Sequence, residues 1–299
     1  MSQSTDRVVS VRDLIIEFDT PAGRSRVVDG VSFSVEPGEV LGILGESGSG
    51  KTMSTQAILG LIDGYPGVMG GEIELKLKGE IHSLLRALPE YLFTKKSKLE
   101  KHERAWRKHR YTEMKDLWGR GVTAIFQNPR RSLDPLMTVG QQVLESITSR
   151  SPELSKEECS REALTWLERV QMVNPSRVYS SYPHELSGGM CQRAMIAVAL
   201  ACKPSVLIAD EPTTGLDATV RAQVVQLLQE LIKDERCAML YITHDIREML
   251  YLADRVIIMR HGEVLERVTT QQLREEAHQR HEYTRTLLEA AGMIGDQDG

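Results

Sequence analysis

The sequence is sparing with cysteine, lacks a long apolar run and opens on no apolar leader, and each absence removes a class of protein. Its four cysteines (Cys159, Cys191, Cys202, Cys237) are scattered through 299 residues with no Cys-x-x-Cys spacing. That pattern argues against a disulfide scaffold or a zinc ribbon and fits free thiols in a reducing cytosol. The longest apolar stretch is nine residues, Ala194 to Cys202, well short of the roughly 20 that a membrane-spanning helix needs. Met1 to Arg7 is polar, so no secretory leader is expected. Internal repeats and low-complexity tracts are also absent. What remains has 41% hydrophobic and 26% charged residues, enough chain for one large or two modest folded domains.

The net charge of −5 hides a split. Lys76 to Arg120 carries 13 Lys and Arg against 6 Asp and Glu, a net of +7, while the rest of the chain carries −12. A basic block inside an acidic chain can mark a partner surface.

Short apolar runs alternate with helical patterns. Val8 to Phe18 and Val31 to Val35 read as strands, bounded by Thr20-Pro21-Ala22-Gly23 and Pro37-Gly38. Val40 to Leu44, Val122 to Phe126, Val206 to Ala209, Ala238 to Thr243 and Val256 to Met259 read as buried strands. Helical patterns occupy Lys51 to Leu61, the stretch from Ser155 and residues 218–232. Ser155-Lys156-Glu157-Glu158 has the form of a capping box. This alternation predicts an α/β fold with a mainly parallel sheet. The last dozen residues, ending Gly295-Asp296-Gln297-Asp298-Gly299, are expected to fray.

Gly45-Glu46-Ser47-Gly48-Ser49-Gly50-Lys51-Thr52 follows an apolar strand and precedes a helix. In GxxxxGK[ST], glycines let the loop curl so that backbone N–H groups converge on phosphate, and the helix N-terminus adds its positive end. Lys51 would reach the β- and γ-phosphates, and the Thr52 hydroxyl would ligate Mg²⁺. This predicts a nucleotide site. Val206-Leu207-Ile208-Ala209-Asp210-Glu211 is an apolar strand ending in two acids. Asp210 can hold Mg²⁺, and Glu211, pointing elsewhere by strand alternation, can polarise an attacking water.

Leu186-Ser187-Gly188-Gly189-Met190-Cys191-Gln192-Arg193 opens a second helix with an anion-binding terminus. Two such sites around one nucleotide make sense if the second caps the γ-phosphate held by another subunit. Here the sequence resembles the ATP-binding cassette (ABC) ATPases, whose signature is LSGGQ, with Met190 in place of the usual Gln. The resemblance spans residues 8–266. It implies a P-loop NTPase fold: a RecA-like core, an antiparallel β subdomain and an α-helical signature subdomain at about 129–203. The whole cassette would occupy 6–266, with a short tail at 267–299. It also implies roles for Gln127 (the Q-loop, touching Mg²⁺), for Asp217 in Thr214-Gly215-Leu216-Asp217 (the D-loop), for His244 (the switch histidine) and for Phe18 (stacking on adenine). Ser187, Gly188 and Gly189 would close over the ATP of a partner.

Within that family, several segments are similar to the oligopeptide, dipeptide and nickel importer ATPases. They are the phosphate loop, Phe126-Gln127-Asn128-Pro129 with Ser132-Leu133-Asp134-Pro135, Tyr182-Pro183-His184-Glu185, and His281-Glu282-Tyr283-Thr284-Arg285. The resemblance implies an ATP-hydrolysing subunit of an importer for peptides or similar small solutes, dimerising head to tail with ATP and Mg²⁺ at the interface. Its partners would be a second ATPase subunit, identical or not, separate permease subunits docking beside Gln127 and Arg130 to Val143, and an extracytoplasmic solute-binding protein. Nucleic acid is not expected. It would sit peripherally on the cytoplasmic face of the membrane. The tail is shorter than many peptide-importer ATPases carry, and a similarly short tail occurs in ATPases of the carbon–phosphorus lyase machinery. A soluble ABC ATPase of such a non-transport assembly is therefore the alternative. The basic block, placed at about 80–118, resembles an insertion between the first helix and the Q-loop strand. Lys95 to Arg110 is expected to be helical, either as a solvated decoration or as a contact for anionic lipid or an acidic partner.

Overall fold

The computed structural model describes residues 7–84, 88–95 and 98–293. The expected frayed end at Gly295 to Gly299 lies outside them. Two compact units are present, one assembled from Met1–Asp116 with Ala238–Gly299, the other from Leu117–Cys237.

The first unit begins with β1 (Val9–Thr20), β2 (Gly23–Val35), β3 (Val40–Leu44), α1 (Lys51–Ile58), β4 (Pro66–Leu77) and β5 (Glu80–Ser83). It continues with β6 (Leu92–Lys95), β7 (Lys98–Lys101) and α2 (Glu103–Met114). The second unit holds β8 (Val122–Ile125), α3 (Pro129–Ser132), α4 (Val139–Arg150), α5 (Lys156–Arg169), α6 (Pro175–Ser180), α7 (Gly188–Ala201), β9 (Val206–Asp210) and α8 (Ala218–Glu235). The chain then returns to the first unit for β10 (Ala238–Thr243), α9 (Ile246–Leu252), β11 (Arg255–Arg260), β12 (Glu263–Thr269), α10 (Thr270–Glu275) and α11 (Glu282–Ala290).

Two sheets build the first unit. One is antiparallel, in the order β2-β1-β4-β5. In the other, β3 lies between β10 and β11 and runs parallel to both, with β12 antiparallel on β11. Every residue of β3 and of β10 is buried, the continuous apolar pattern of strands covered on both faces. Helix α9 comes so close to β3 that a Cβ on Gly42 would sit 1.9 Å from Met249 Sδ. A side chain at position 42 would have to displace Met249.

In the second unit, β8 and β9 pair in parallel. Helices α4, α5 and α7 bury Val143 and Ile147, Trp166 and Leu167, and Ile196 and Leu200 against one another. The capping box at the start of α5 is present: Glu158 N–H donates to Ser155 Oγ (3.2 Å) and Ser155 N–H to Glu158 Oε2 (2.8 Å). Those hydrogen bonds from Ser155 hold the Glu158 carboxyl below its ordinary range. All four cysteines are buried. Burial pushes the Cys202 thiol up to about 11 and the Cys237 thiol up to about 12.

The basic block differs from the expected helix. Leu92–Lys95 and Lys98–Lys101 pair as antiparallel strands, and the α-helix begins at Glu103 and runs to Met114. The reason is anchoring: Trp106 and Met114 are fully buried on one side of α2, and Arg110 on the same side pairs with Asp63 (2.8 Å). The Lys101 ammonium lies 4.0 Å from the Trp106 ring centroid. Burial lowers its pKa. On the opposite side of α2, Arg104, Lys108 and Tyr111 are exposed.

Candidate functional site

The phosphate loop joins β3 to α1 in the first unit. Gly48 and Gly50 adopt left-handed backbone at φ +82° and +97°, and a Cβ on Gly50 would stand 2.6 Å from the Val27 carbonyl. The loop thus needs glycine for both conformation and space. Gly262 N–H, in the turn between β11 and β12, donates to Ser49 O (3.2 Å) and pins the loop from the other side. Lys51 is only 5% exposed, and its Nζ donates to the carbonyls of Gly45 and Glu46 at 2.7 Å each. The ammonium is thus folded back on its own loop, held by two of the loop's carbonyls. Among the described residues Ser49 Oγ is buried with no hydrogen-bond partner, so the loop carries donor capacity it has not spent. Such a cradle fits a phosphate chain.

Two further expected residues lie in this unit. Phe18 is half-buried near the end of β1, its ring against Gly64, where a Cβ would meet Phe18 Cε1 at 2.0 Å. His244 is exposed just past β10. Its neighbours are tightly fixed: Asp245 N–H donates to Thr243 Oγ1 (3.0 Å), and Asp245 Oδ1 caps α9 by accepting from Arg247 N–H (2.9 Å). Beneath them the buried Glu248 carboxylate accepts from Tyr241 Oη (2.6 Å) and Thr243 Oγ1 (3.3 Å).

The second unit holds the other expected residues. Asp210 ends β9, and Glu211 follows it in left-handed backbone with φ +46°. Its direction is therefore set by a break in the strand and not by the alternation that the sequence suggested. A non-glycine residue at such a φ costs free energy and is common at functional positions. Glu211 Oε2 accepts from Gln127 Nε2 (3.1 Å) and from Thr214 Oγ1 (3.0 Å). The structure thus brings Gln127 and Glu211 together and adds Thr214, a partner that sequence reasoning missed. Its signal was present, because Thr214 follows Glu211 by three residues in a turn.

Ser187 caps α7, its Oγ accepting from Met190 N–H (3.3 Å), with Gly188 and Gly189 in the first turn. Arg130 Nη2 donates to the Leu186 carbonyl (3.1 Å) just before this cap. Cys191 is buried, its thiol donating to Pro183 O (3.3 Å), and burial raises its pKa. Asp217 caps α8, Oδ1 accepting from Thr219 and Val220 N–H at 3.1 and 3.0 Å.

A protein-family model described as "ABC transporter" matches residues 28–214. A dipeptide transport ATP-binding protein of Haemophilus influenzae is 40% identical over 281 residues, covering 94% of this chain and 76% of that protein. An oligopeptide transport ATP-binding protein of Bacillus subtilis is 38% identical, covering 94% and 71%. A glutathione import ATP-binding protein of Pectobacterium atrosepticum is 37% identical over 98% of this chain, which spans 43% of that relative's length. Among solved structures, a dimeric bacterial ABC transporter cassette superposes with a TM-score of 0.68 at 24% identity, over 88% of this chain and 98% of the cassette. An ABC transporter component of Clostridium perfringens gives 0.66 at 22%, over 95% and 99%. These likenesses show the fold, an α/β P-loop NTPase cassette. The family match and the dipeptide and oligopeptide relatives together place this chain in the ABC transporter family.

Proposed function

We propose that the protein is the ATP-hydrolysing subunit of an importer for peptides or similar small polar solutes, acting on the cytoplasmic face of the membrane. The observation that carries this reading is the phosphate loop, with Lys51 buried at its centre and glycine at its left-handed positions. The relatives named for dipeptide, oligopeptide and glutathione transport favour an importer over a non-transport assembly. No described helix is long and apolar enough to cross a membrane, so the translocation path would belong to separate permease subunits. Leu136, 85% exposed between Gln127 and α4, offers such a subunit an apolar anchor.

In this reading Gly45–Thr52 binds the ATP phosphates, with Lys51 turning from the loop carbonyls to the β- and γ-phosphates, and Phe18 lies against the adenine. Thr52, Asp210 and Gln127 would hold Mg²⁺. A hydroxyl, a carboxylate and an amide are hard oxygen donors of the kind that cation takes alongside phosphate. Bound there, it would neutralise phosphate charge. Among the described residues no group of three or more His, Cys, Asp or Glu gathers as a dedicated metal cage, in keeping with a cation that arrives with its nucleotide.

Glu211 is the base that takes the proton of the attacking water. Gln127 and Thr214, both donating to Oε2, hold the carboxylate in one orientation. His244, on its fixed mount, senses the γ-phosphate. Two subunits close head to tail, each presenting Ser187, Gly188, Gly189 and Asp217 to the nucleotide of the other. Little covalent help is needed for phosphoryl transfer, so positioning and electrostatics do most of the catalysis. The deciding experiment is co-purification of the tagged chain from its native membranes. Hydrophobic permease subunits should accompany it, together with ATPase activity. Recovery with only soluble partners would reject the importer reading.

A further inference from the structure

The motif His281 to Arg285 has no part in the chemistry above, yet one of its side chains touches the phosphate loop. Glu46 N–H donates to Tyr283 Oη at 3.0 Å, across 237 positions of sequence. The Glu46 carbonyl, on the other side of the same residue, accepts from Lys51 Nζ at 2.7 Å. Glu46 is thus held at both ends, by a distant helix and by the lysine that would bind phosphate.

Tyr283 is itself firmly placed. It is 5% exposed, with the Arg260 guanidinium 4.8 Å from its ring centroid, within range of a cation–π contact. Its N–H donates to His281 Nδ1 (3.1 Å), and the neighbouring Thr284 hydroxyl donates to Glu266 on β12. At the far end of α11, the Ala291 carbonyl accepts from Arg247 Nη2 (2.8 Å), on the helix that follows His244. A helix tied down at both ends cannot slide, so the hydroxyl stays where the loop amide meets it.

We propose that Tyr283 is a positioning residue for nucleotide binding, setting the conformation of the phosphate loop through the Glu46 amide. The proposal rests on the nucleotide reading of that loop. With its amide satisfied by Tyr283, the Glu46 peptide is held in the orientation that presents its carbonyl to Lys51. Without the hydroxyl, this N–H must find water or rotate inward, and rotation would disorder the cradle before nucleotide arrives. Burial raises the pKa of the Tyr283 hydroxyl above its ordinary value.

The test uses the full-length chain and Tyr283→Phe, which keeps the ring and removes the acceptor. Dissociation constants for ATP in EDTA and for ADP are measured by calorimetry, alongside kcat, KM and the melting temperature. Losing one such hydrogen bond is expected to raise Kd and KM about 3- to 10-fold, with kcat within about twofold. A purely structural role would instead lower the melting temperature and kcat at unchanged KM, and that result would overturn the proposal. A second arm removes the donor. In a Glu46→Pro background, Tyr283→Phe should add nothing, whereas the same added cost as in the wild type would show that Tyr283 acts elsewhere. Lys51→Ala in the same assay separates the two readings. Undiminished ATP affinity there rejects the nucleotide site itself, while weakened affinity there with a silent Tyr283→Phe rejects only the role of Tyr283.

Discussion

Gln127 Nε2 donates to Glu211 Oε2 at 3.1 Å, joining two residues 84 positions apart. The contact gives the carboxylate an orientation before any substrate is present. If Glu211 is the base, Glu211→Gln should lower phosphate release by about 10²- to 10⁴-fold, the usual span for loss of a general base. ATP should remain bound and the dimer closed, as read by size-exclusion chromatography with ATP. Turnover near wild type would remove Glu211 from that role.

Thr214 supplies the second hydrogen bond to Glu211 Oε2. Thr214→Val preserves shape and deletes the donor, so kcat should fall less than about 10-fold with KM unchanged, in line with about 1 kcal/mol for one hydrogen bond. Steady-state kinetics decides it, and a rise in KM at constant kcat would mean that Thr214 serves binding instead.

Lys51 is buried against two loop carbonyls. Lys51→Ala should weaken ATP binding at least about 10-fold, because charge-assisted hydrogen bonds contribute about 1.5–3 kcal/mol. Calorimetric titration with ATP and ADP measures it, and unchanged affinity would contradict a phosphate role for the loop.

The buried thiols give a pH dependence with a definite sign. Cys202 and Cys237 titrate in the folded chain near 11 and 12, above the ordinary thiol value of 9. Between pH 9 and those values, the unfolded chain has released protons that the folded chain retains, so these groups make stability fall as pH rises. Below pH 9 they contribute no slope. The double variant Cys202→Ala with Cys237→Ala should flatten the loss of melting temperature between pH 9 and 10.5, and an equally steep loss would assign the slope to other groups.

How much of this was legible beforehand varied with the range of the interaction. Val40–Leu44 and Ala238–Thr243 are strands with the bounds their apolar runs suggest, because burial on both faces leaves an unbroken hydrophobic signal. The Ser155 capping box is local and reads directly from four residues. By contrast, β4 passed unnoticed. Gly67, Gly70 and Gly71 interrupt the strand signal of its first half, although Glu72 to Leu77 alternates polar and apolar residues, and it pairs with β1. Of the expected helix at Lys95 to Arg110, Lys98–Lys101 is instead a strand paired with Leu92–Lys95, where charge obscures the pattern, while the part from Glu103 is helical. Within the candidate site, residue types and order were visible, while the left-handed turn at Glu211 and the contact of Tyr283 with Glu46 depend on partners that sequence spacing does not encode.

The anchoring of α2 gives the first unit an optical reporter of its own. The chain has three tryptophans, Trp106, Trp118 and Trp166, and of these Trp106 alone belongs to the unit that carries the phosphate loop. It is 1% exposed with an ammonium over its ring. With Trp118 and Trp166 replaced by phenylalanine, its emission would follow the attachment of the basic block to that unit. Detachment would move the indole into water and shift the spectrum to the red, without any label added to the protein.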